Sequence, residues 1–206
     1  MISKRIGRVL VLSAATGGMA LAMTACQTNG SSNLRRPADM TARGDINRAR
    51  SLTAQADDAY RKRQFEKADT LYRESLEIFP NQTGAWNNLG NVLMAQQNFV
   101  DAETAFQRAI ELEPARPEPY TSLGRLWLEA DYAEESIQHF DEALALDPRW
   151  LPAIRGKSAA LHKLARATPE YVDMLRTARL IESDAQWLRF FDRERSRVEQ
   201  ALAYDG

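Results

Sequence analysis

The chain has 206 residues, 44% of them hydrophobic and 27% charged, with a formal net charge of −1. That balance suits one soluble globular or solenoid domain and excludes the strongly basic surface of a nucleic-acid binder. A single cysteine excludes an internal disulfide, and no residues are spaced as metal ligands, so neither a metal nor another cofactor is expected. The first element lies at the N-terminus. Lys4, Arg5 and Arg8 make a positive start, and Val9 to Met23 is apolar or small and uncharged. This run is short and rich in Gly, Ala and Thr, which fits a secretory signal better than a membrane span.

The run ends Leu21-Ala22-Met23-Thr24-Ala25-Cys26, with the one cysteine of the chain in last place. These residues resemble the bacterial lipobox, in which small residues precede a cysteine that is lipidated and becomes the new N-terminus. Met23 stands where that motif usually has Leu. The resemblance implies a signal peptide over residues 1–25, removed on export, and acyl chains such as palmitate on Cys26. Gln27, where a retained lipoprotein of enteric bacteria would have Asp, implies transfer to the outer membrane, facing the periplasm. Such an anchor holds a protein at a membrane without spanning it, firmly when two or more chains are attached. Residues 26–44 hold Gly, Ser, Asn and Pro and show no apolar periodicity, so they read as a flexible tether.

Helical repeats follow. From Trp86 to Pro114, two helical patterns flank a polar turn at Gln97–Asn98. Trp86, Leu89 and Leu93 share one face of the first, and Ala102, Phe106, Ala109 and Ile110 share one face of the second. Pro114 ends the unit because proline cannot continue a helix. The shift that takes Leu89 to Leu123 also takes Gly90 to Gly124, Phe106 to Phe140, Ala109 to Ala143 and Pro114 to Pro148; the same shift backwards gives Ala68, Tyr72, Leu76 and Pro80. Three positions stay small: Ala56, Gly90, Gly124 and Ser158; Ala68, Ala102 and Ser136; Ser75, Ala109, Ala143 and Thr177. Small residues let helix axes approach, and the large ones between them fill the gaps. Repeats are expected at about 49–82, 83–116, 117–150 and 151–184, the last with Glu170 where Ala belongs. Thr168-Pro169 predicts an N-cap and first helical residue. A last helix over residues 185–206, with Trp187, Phe191, Val198 and Leu202 on one side and Arg189, Arg193 and Arg197 elsewhere, predicts the cap that a solenoid end requires.

The period and the pattern of Trp86, Leu89, Gly90, Leu93, Ala102, Phe106, Ala109 and Pro114 resemble the tetratricopeptide repeat (TPR) family. The resemblance covers about two-thirds of the chain, roughly Ala49 to Asp184. It implies an all-α superhelical solenoid of helix-turn-helix hairpins over residues 45–184. It also implies a concave groove, lined by the first helix of each hairpin, that holds an extended peptide or a partner helix. The groove positions not used in packing are Asp57, Tyr60 and Arg61; Asn87, Asn88, Asn91 and Met94; Thr121, Arg125 and Leu128; and Arg155, His162 and Lys163. The asparagine trio stands out, because an amide offers both a donor and an acceptor to a peptide backbone. Arg125 and Arg155 suit a carboxylate.

TPR domains that clamp a chaperone's C-terminal carboxylate use a Lys/Asn–Asn–Lys/Arg set. Here the matching positions are Thr53, Asp57, Asn88, Glu118 and Ser122, and only Asn88 agrees. After Cys26 there is no nucleophilic cysteine, and no Gly-rich phosphate loop, H-E-x-x-H or G-x-S-x-G motif is found, so the chain does not read as an enzyme with a small-molecule substrate. His139, on a second helix, reads as exposed. Taken together, the resemblances imply an envelope lipoprotein that acts as a protein-binding adaptor. More specific roles in that setting are assembly of a pilus of the tight-adherence type or of a secretin, or recruitment of cell-wall hydrolases.

Overall fold

The computed structural model describes residues 37–204, with side chains from residue 43. The signal peptide, Cys26 and the first part of the expected tether lie outside the described residues. Within them the chain is all helical, in the order α1 (Pro37–Arg61), α2 (Phe65–Ile78), α3 (Thr83–Ala95), α4 (Phe99–Leu112), α5 (Pro117–Glu129), α6 (Ala133–Leu146), α7 (Leu151–Lys163), α8 (Pro169–Ile181) and α9 (Ala185–Tyr204). None of these helices is long and apolar enough to cross a membrane.

One expectation is corrected at the start. Residues 37–44 are helical, so the tether cannot extend to Gly44. Pro37 takes the first helical position, where its missing N–H removes no hydrogen bond. Polar composition conceals about two turns here, because a helix that precedes the core needs no apolar stripe.

The repeat has a backbone signature as well as a side-chain one. Arg63, Gln97, Asp131 and Ala165 adopt left-handed φ values of 59°, 62°, 75° and 52°, one in each hairpin turn and evenly spaced along the chain. The first three turns close with the same bonds, from the residue after the left-handed one back to the Ala59, Leu93 and Trp127 carbonyls. The pattern persists in the fourth turn, where Arg166 N–H reaches the Leu161 carbonyl, 3.0 Å away.

Close approach within hairpins explains the small positions. A Cβ on Gly90 would lie 2.4 Å from the Phe106 ring, and one on Gly124 would lie 2.6 Å from the Phe140 ring. Phe140 is also met from the next hairpin, where a Cβ on Gly156 would lie 2.3 Å from it. With Ala143 and Ala153, Phe140 forms a thin layer between two larger cores. One core joins α1 to α5 through Tyr72, Leu89, Val92, Phe106 and Leu126. The other joins α6 to α9 through Ile154, Tyr171, Leu175, Phe191 and Val198.

The fourth hairpin departs from the first three. α7 and α8 touch sparsely, whereas α1/α2, α3/α4 and α5/α6 are closely paired. Its turn is longer, and α8 starts at Pro169 rather than at the repeat-equivalent Ala167. Thr168 caps α8, its Oγ1 accepting from Tyr171 N–H at 3.2 Å. The slip leaves Thr177 exposed, contrary to its expected small packing role, and buries Ala178 instead. Tyr171, which precedes the repeat-equivalent Met174 by almost one helical turn, supplies the buried aromatic ring. α9 closes this end, with Phe191 and Val198 buried and Trp187 and Leu202 packed beside them.

Candidate functional site

The first helices α1, α3, α5 and α7 carry the expected groove residues, and the structure divides them into three groups. The first group locks one hairpin to the next. Thr53 Oγ1 donates to Gln82 Oε1 at 3.3 Å, and Thr121 Oγ1, at the same position two repeats further on, accepts from Trp150 Nε1 at 3.0 Å. At the next equivalent position, Arg155 grips Glu182 through two bonds of 2.7 and 2.6 Å and lies 5.2 Å from the Trp187 ring. Each bond ties a first helix to the approach of the following one. Thr121 and Arg155 are therefore joint residues rather than free ligand contacts. Arg155 holds the Glu182 carboxyl below its ordinary range despite burial, helped by the Ser183 and Asp184 amides.

The second group is spent on packing. Met94 is buried among the α1–α5 core, and Tyr60 leans on Phe65 with ring centres 5.9 Å apart. Asp57 Oδ1 accepts from the Tyr72 hydroxyl and from Asn88 Nδ2, the latter at 3.0 Å. Burial pushes the Tyr72 hydroxyl far above the ordinary phenol range, and the Asp57 carboxylate adds to the effect. Met94, Asp57 and Asn88 thus serve the fold first, because a first helix that follows another in a solenoid must spend part of its groove side on its neighbour. Lys163 is paired with Asp131, and His162 Nδ1 lies 2.8 Å from Glu194 Oε2.

The third group remains available. Asn87 occupies the joint position of α3 but makes no joint: its Oδ1 is buried without a hydrogen-bond partner, and so is that of Asn91 one turn later. Both residues are half-buried and sit side by side at i and i+4. A buried unpaired acceptor costs about 1–3 kcal/mol, so the two on one face leave the groove side of α3 with polar groups that the fold itself does not satisfy. Arg61 and Arg125 are exposed and engage Asp58 and Glu129 only at 3.9 and 4.0 Å, near the limit of ion pairing.

Two buried acids were not foreseen. Glu182 closes the Arg155 joint, and Glu194 is 3% exposed at the α7/α8/α9 junction. Glu194 accepts from Tyr171 Oη at 3.2 Å and from Arg197 Nη2 at 2.6 Å. Burial pushes its carboxyl up, but Arg197 and His162 more than offset that and hold it below the ordinary range. The spacing Trp187, Phe191, Glu194, Val198 was the available signal: an acid standing in an apolar stripe needs partners. His139 is half-buried, not exposed, and stacks on Trp127 at 6.4 Å. Among the described residues no three His, Cys, Asp or Glu side chains gather as a metal site.

Comparison with known proteins places this geometry. A tetratricopeptide repeat family model matches residues 53–117 and 89–149. No curated protein matches the chain significantly. Among solved structures, a mutant of the Thermobaculum terrenum O-GlcNAc transferase aligns at 26% identity and a TM-score of 0.60, over 66% of this chain. This chain spans only 26% of that transferase. MamA protein aligns at 18% identity and a TM-score of 0.59, covering 78% of this chain and 88% of its own. The first TPR of Spaghetti (RPAP3), bound to the HSP90 peptide SRMEEVD, aligns at 17% identity and a TM-score of 0.55, covering 59% of this chain and 96% of its own. The last two likenesses bear on the fold alone.

Proposed function

Since the chain is a tetratricopeptide repeat protein, whose repeats point to protein–protein interaction, we propose that it is a lipid-anchored adaptor of the bacterial cell envelope. Its concave face captures an extended segment of a partner protein. The observation that carries the binding half is the pair of buried, unpaired amide oxygens at Asn87 and Asn91. A peptide backbone carries N–H donors, the complement of these unpaired acceptors. The membrane half rests on Cys26, the one cysteine, placed at the end of a secretion signal.

Two experiments test the halves separately. Membrane fractionation of cells expressing the full chain is expected to place the wild type in the outer-membrane fraction and Cys26→Ser in a soluble one. Recovery of the wild type in the soluble fraction would defeat the anchor. For the groove, capture from envelope extracts is compared between the wild type and Asn87→Ala/Asn91→Ala. A partner held equally well by both proteins is not held by the asparagines, and the groove reading then fails.

A further inference from the structure

Helix α9 carries the repeat one step past the fourth hairpin. At intervals of one repeat, Asn87 leads to Thr121, Arg155 and Arg189, and Asn91 leads to Arg125, Ala159 and Arg193. α9 packs mainly on α8 and reaches α7 through side chains in that register. Arg155 lies against Trp187, and His162 meets the Phe190 ring edge-on at 5.7 Å while bonding Glu194. In position α9 is a fifth first helix, so its groove side extends the concave face.

That side differs in chemistry from the rest. Arg189 and Arg193 are exposed, one turn apart, and form no ion pair or hydrogen bond among the described residues. Their neighbours are engaged: Lys157 with Asp141, Arg166 with Glu134, Arg176 with Asp173 and Glu199, Arg179 with Asp192, and Arg197 with Glu194. With Gln186 and Asp192, the two free arginines line an open recess of about 580 Å³. Asp192, the one acid there, is drawn off by Arg179 at 2.8 Å and Arg195 at 3.8 Å. Arg193 also borders a second recess of about 310 Å³ with His162, Phe190, Arg197 and Glu194, the last held by Arg197 and His162. At the opposite end of the same face stands Asp57, the repeat equivalent of Asn91. The groove is therefore uneven: α1 carries the engaged Asp57 and the exposed Arg61, α3 carries amide groups, and α9 carries two unpaired guanidinium groups.

We infer that the α9 end of the groove receives the carboxylate side chains of an acidic stretch in the partner peptide, and that this fixes the direction in which the peptide lies. The inference rests on the reading of the concave face as a peptide groove. Paired guanidiniums a turn apart favour carboxylates through charge-assisted bonds and repel a basic segment. Three steps between neighbouring first helices, at about 8–10 Å each, separate the asparagines from Arg189 and Arg193. An extended chain crosses that span in about eight residues. The acidic stretch thus lies about eight residues from the segment held by Asn87 and Asn91.

The test is a phage-displayed library of random linear peptides of about twelve residues, panned on the purified full chain in mild detergent. The expected outcome is enrichment of Asp and Glu toward one end of the selected sequences. The best of them, made synthetically, is expected to bind at least about tenfold more weakly to Arg189→Glu/Arg193→Glu, and more weakly with rising salt. Replacing its acids by amides should remove that difference. Arg189→Gln/Arg193→Gln should give an intermediate loss. Asn87→Ala/Asn91→Ala should weaken the acidic peptide and its amide version alike. Selected peptides without acidic bias, held equally by the reversed variant, would overturn the inference and leave the groove reading intact. No enrichment by the wild type would overturn both. Flotation with phosphatidylcholine vesicles containing phosphatidylglycerol, with wild-type and reversed grooves both compared in a Cys26→Ser background so that no acyl chain inserts, supplies the last arm. If the wild type floats, the reversed variant does not, and peptide binding is indifferent to the arginines, the site reads lipid headgroups and the inference falls.

Discussion

Single residues set the terms on which each hairpin closes. Ala165 holds a left-handed φ of 52° without the freedom of glycine. Such a residue costs about 1 kcal/mol, so Ala165→Gly is expected to raise the melting temperature by a few degrees, and Ala165→Val to lower it. Gly156 makes the opposite case. Its side of the helix is filled by Phe140, so Gly156→Ala should destabilise by about 1–3 kcal/mol through overpacking, measured by urea unfolding. Gly44 has open space around it inside α1. Gly44→Ala should therefore increase helical circular dichroism and add up to about 1 kcal/mol; a flexible segment there would leave both unchanged. The packing glycines Gly90 and Gly124 were legible in the sequence because they repeat. Gly156 was not, since it falls just before the repeated small position and answers to a ring from the preceding hairpin.

At the scale of elements, α8 and α9 show how a repeat ends. The late start of α8 displaces its stripe, so Tyr171 and Ala178 replace the expected contacts. The cap is then fastened by polar bonds through Glu194, His162, Tyr171 and Arg197. Glu194 has a carboxyl held below its ordinary range in the folded state. Its contribution is accordingly present above the ordinary carboxylate pKa and lost as pH falls through the lowered folded value. Glu182 follows the same sign. Acid titration below about pH 4 should release α9 early, seen as a change in Trp187 emission while the helical signal largely persists. Glu194→Gln should flatten that acid dependence and cost about 2–4 kcal/mol near neutral pH, because Arg197 and His162 lose their charged partner. An unaltered acid profile in this variant would show that the cap is held by its apolar stripe alone. The stripe Trp187, Phe191, Val198, Leu202 was readable as periodicity. The acid fastening it was not assigned a role, because its partners Tyr171 and His162 come from α8 and α7, far from it in the chain.

For the whole molecule, stability passes from neighbour to neighbour along the stack. Removing residues 185–206 uncovers Tyr171 and Leu175, so the truncated chain is expected to lose its C-terminal half first and to unfold less cooperatively, followed by urea titration of the remaining tryptophans in turn. The period, the hairpin count, the turn positions and the cap were determined by the sequence itself. They depend on contacts between residues within one repeat or one repeat apart, and such contacts leave a regular trace in the chain. The fate of the groove residues was decided only by tertiary structure. Thr121, Arg155, Asn88 and Met94 occupy the same kind of surface position as Asn87 and Asn91 and cannot be told from them by spacing. Whether each is free depends on what the next helix brings within about 3 Å of it: Trp150 for Thr121, Glu182 for Arg155, Asp57 from the preceding helix for Asn88, and no partner for the Oδ1 atoms of Asn87 and Asn91.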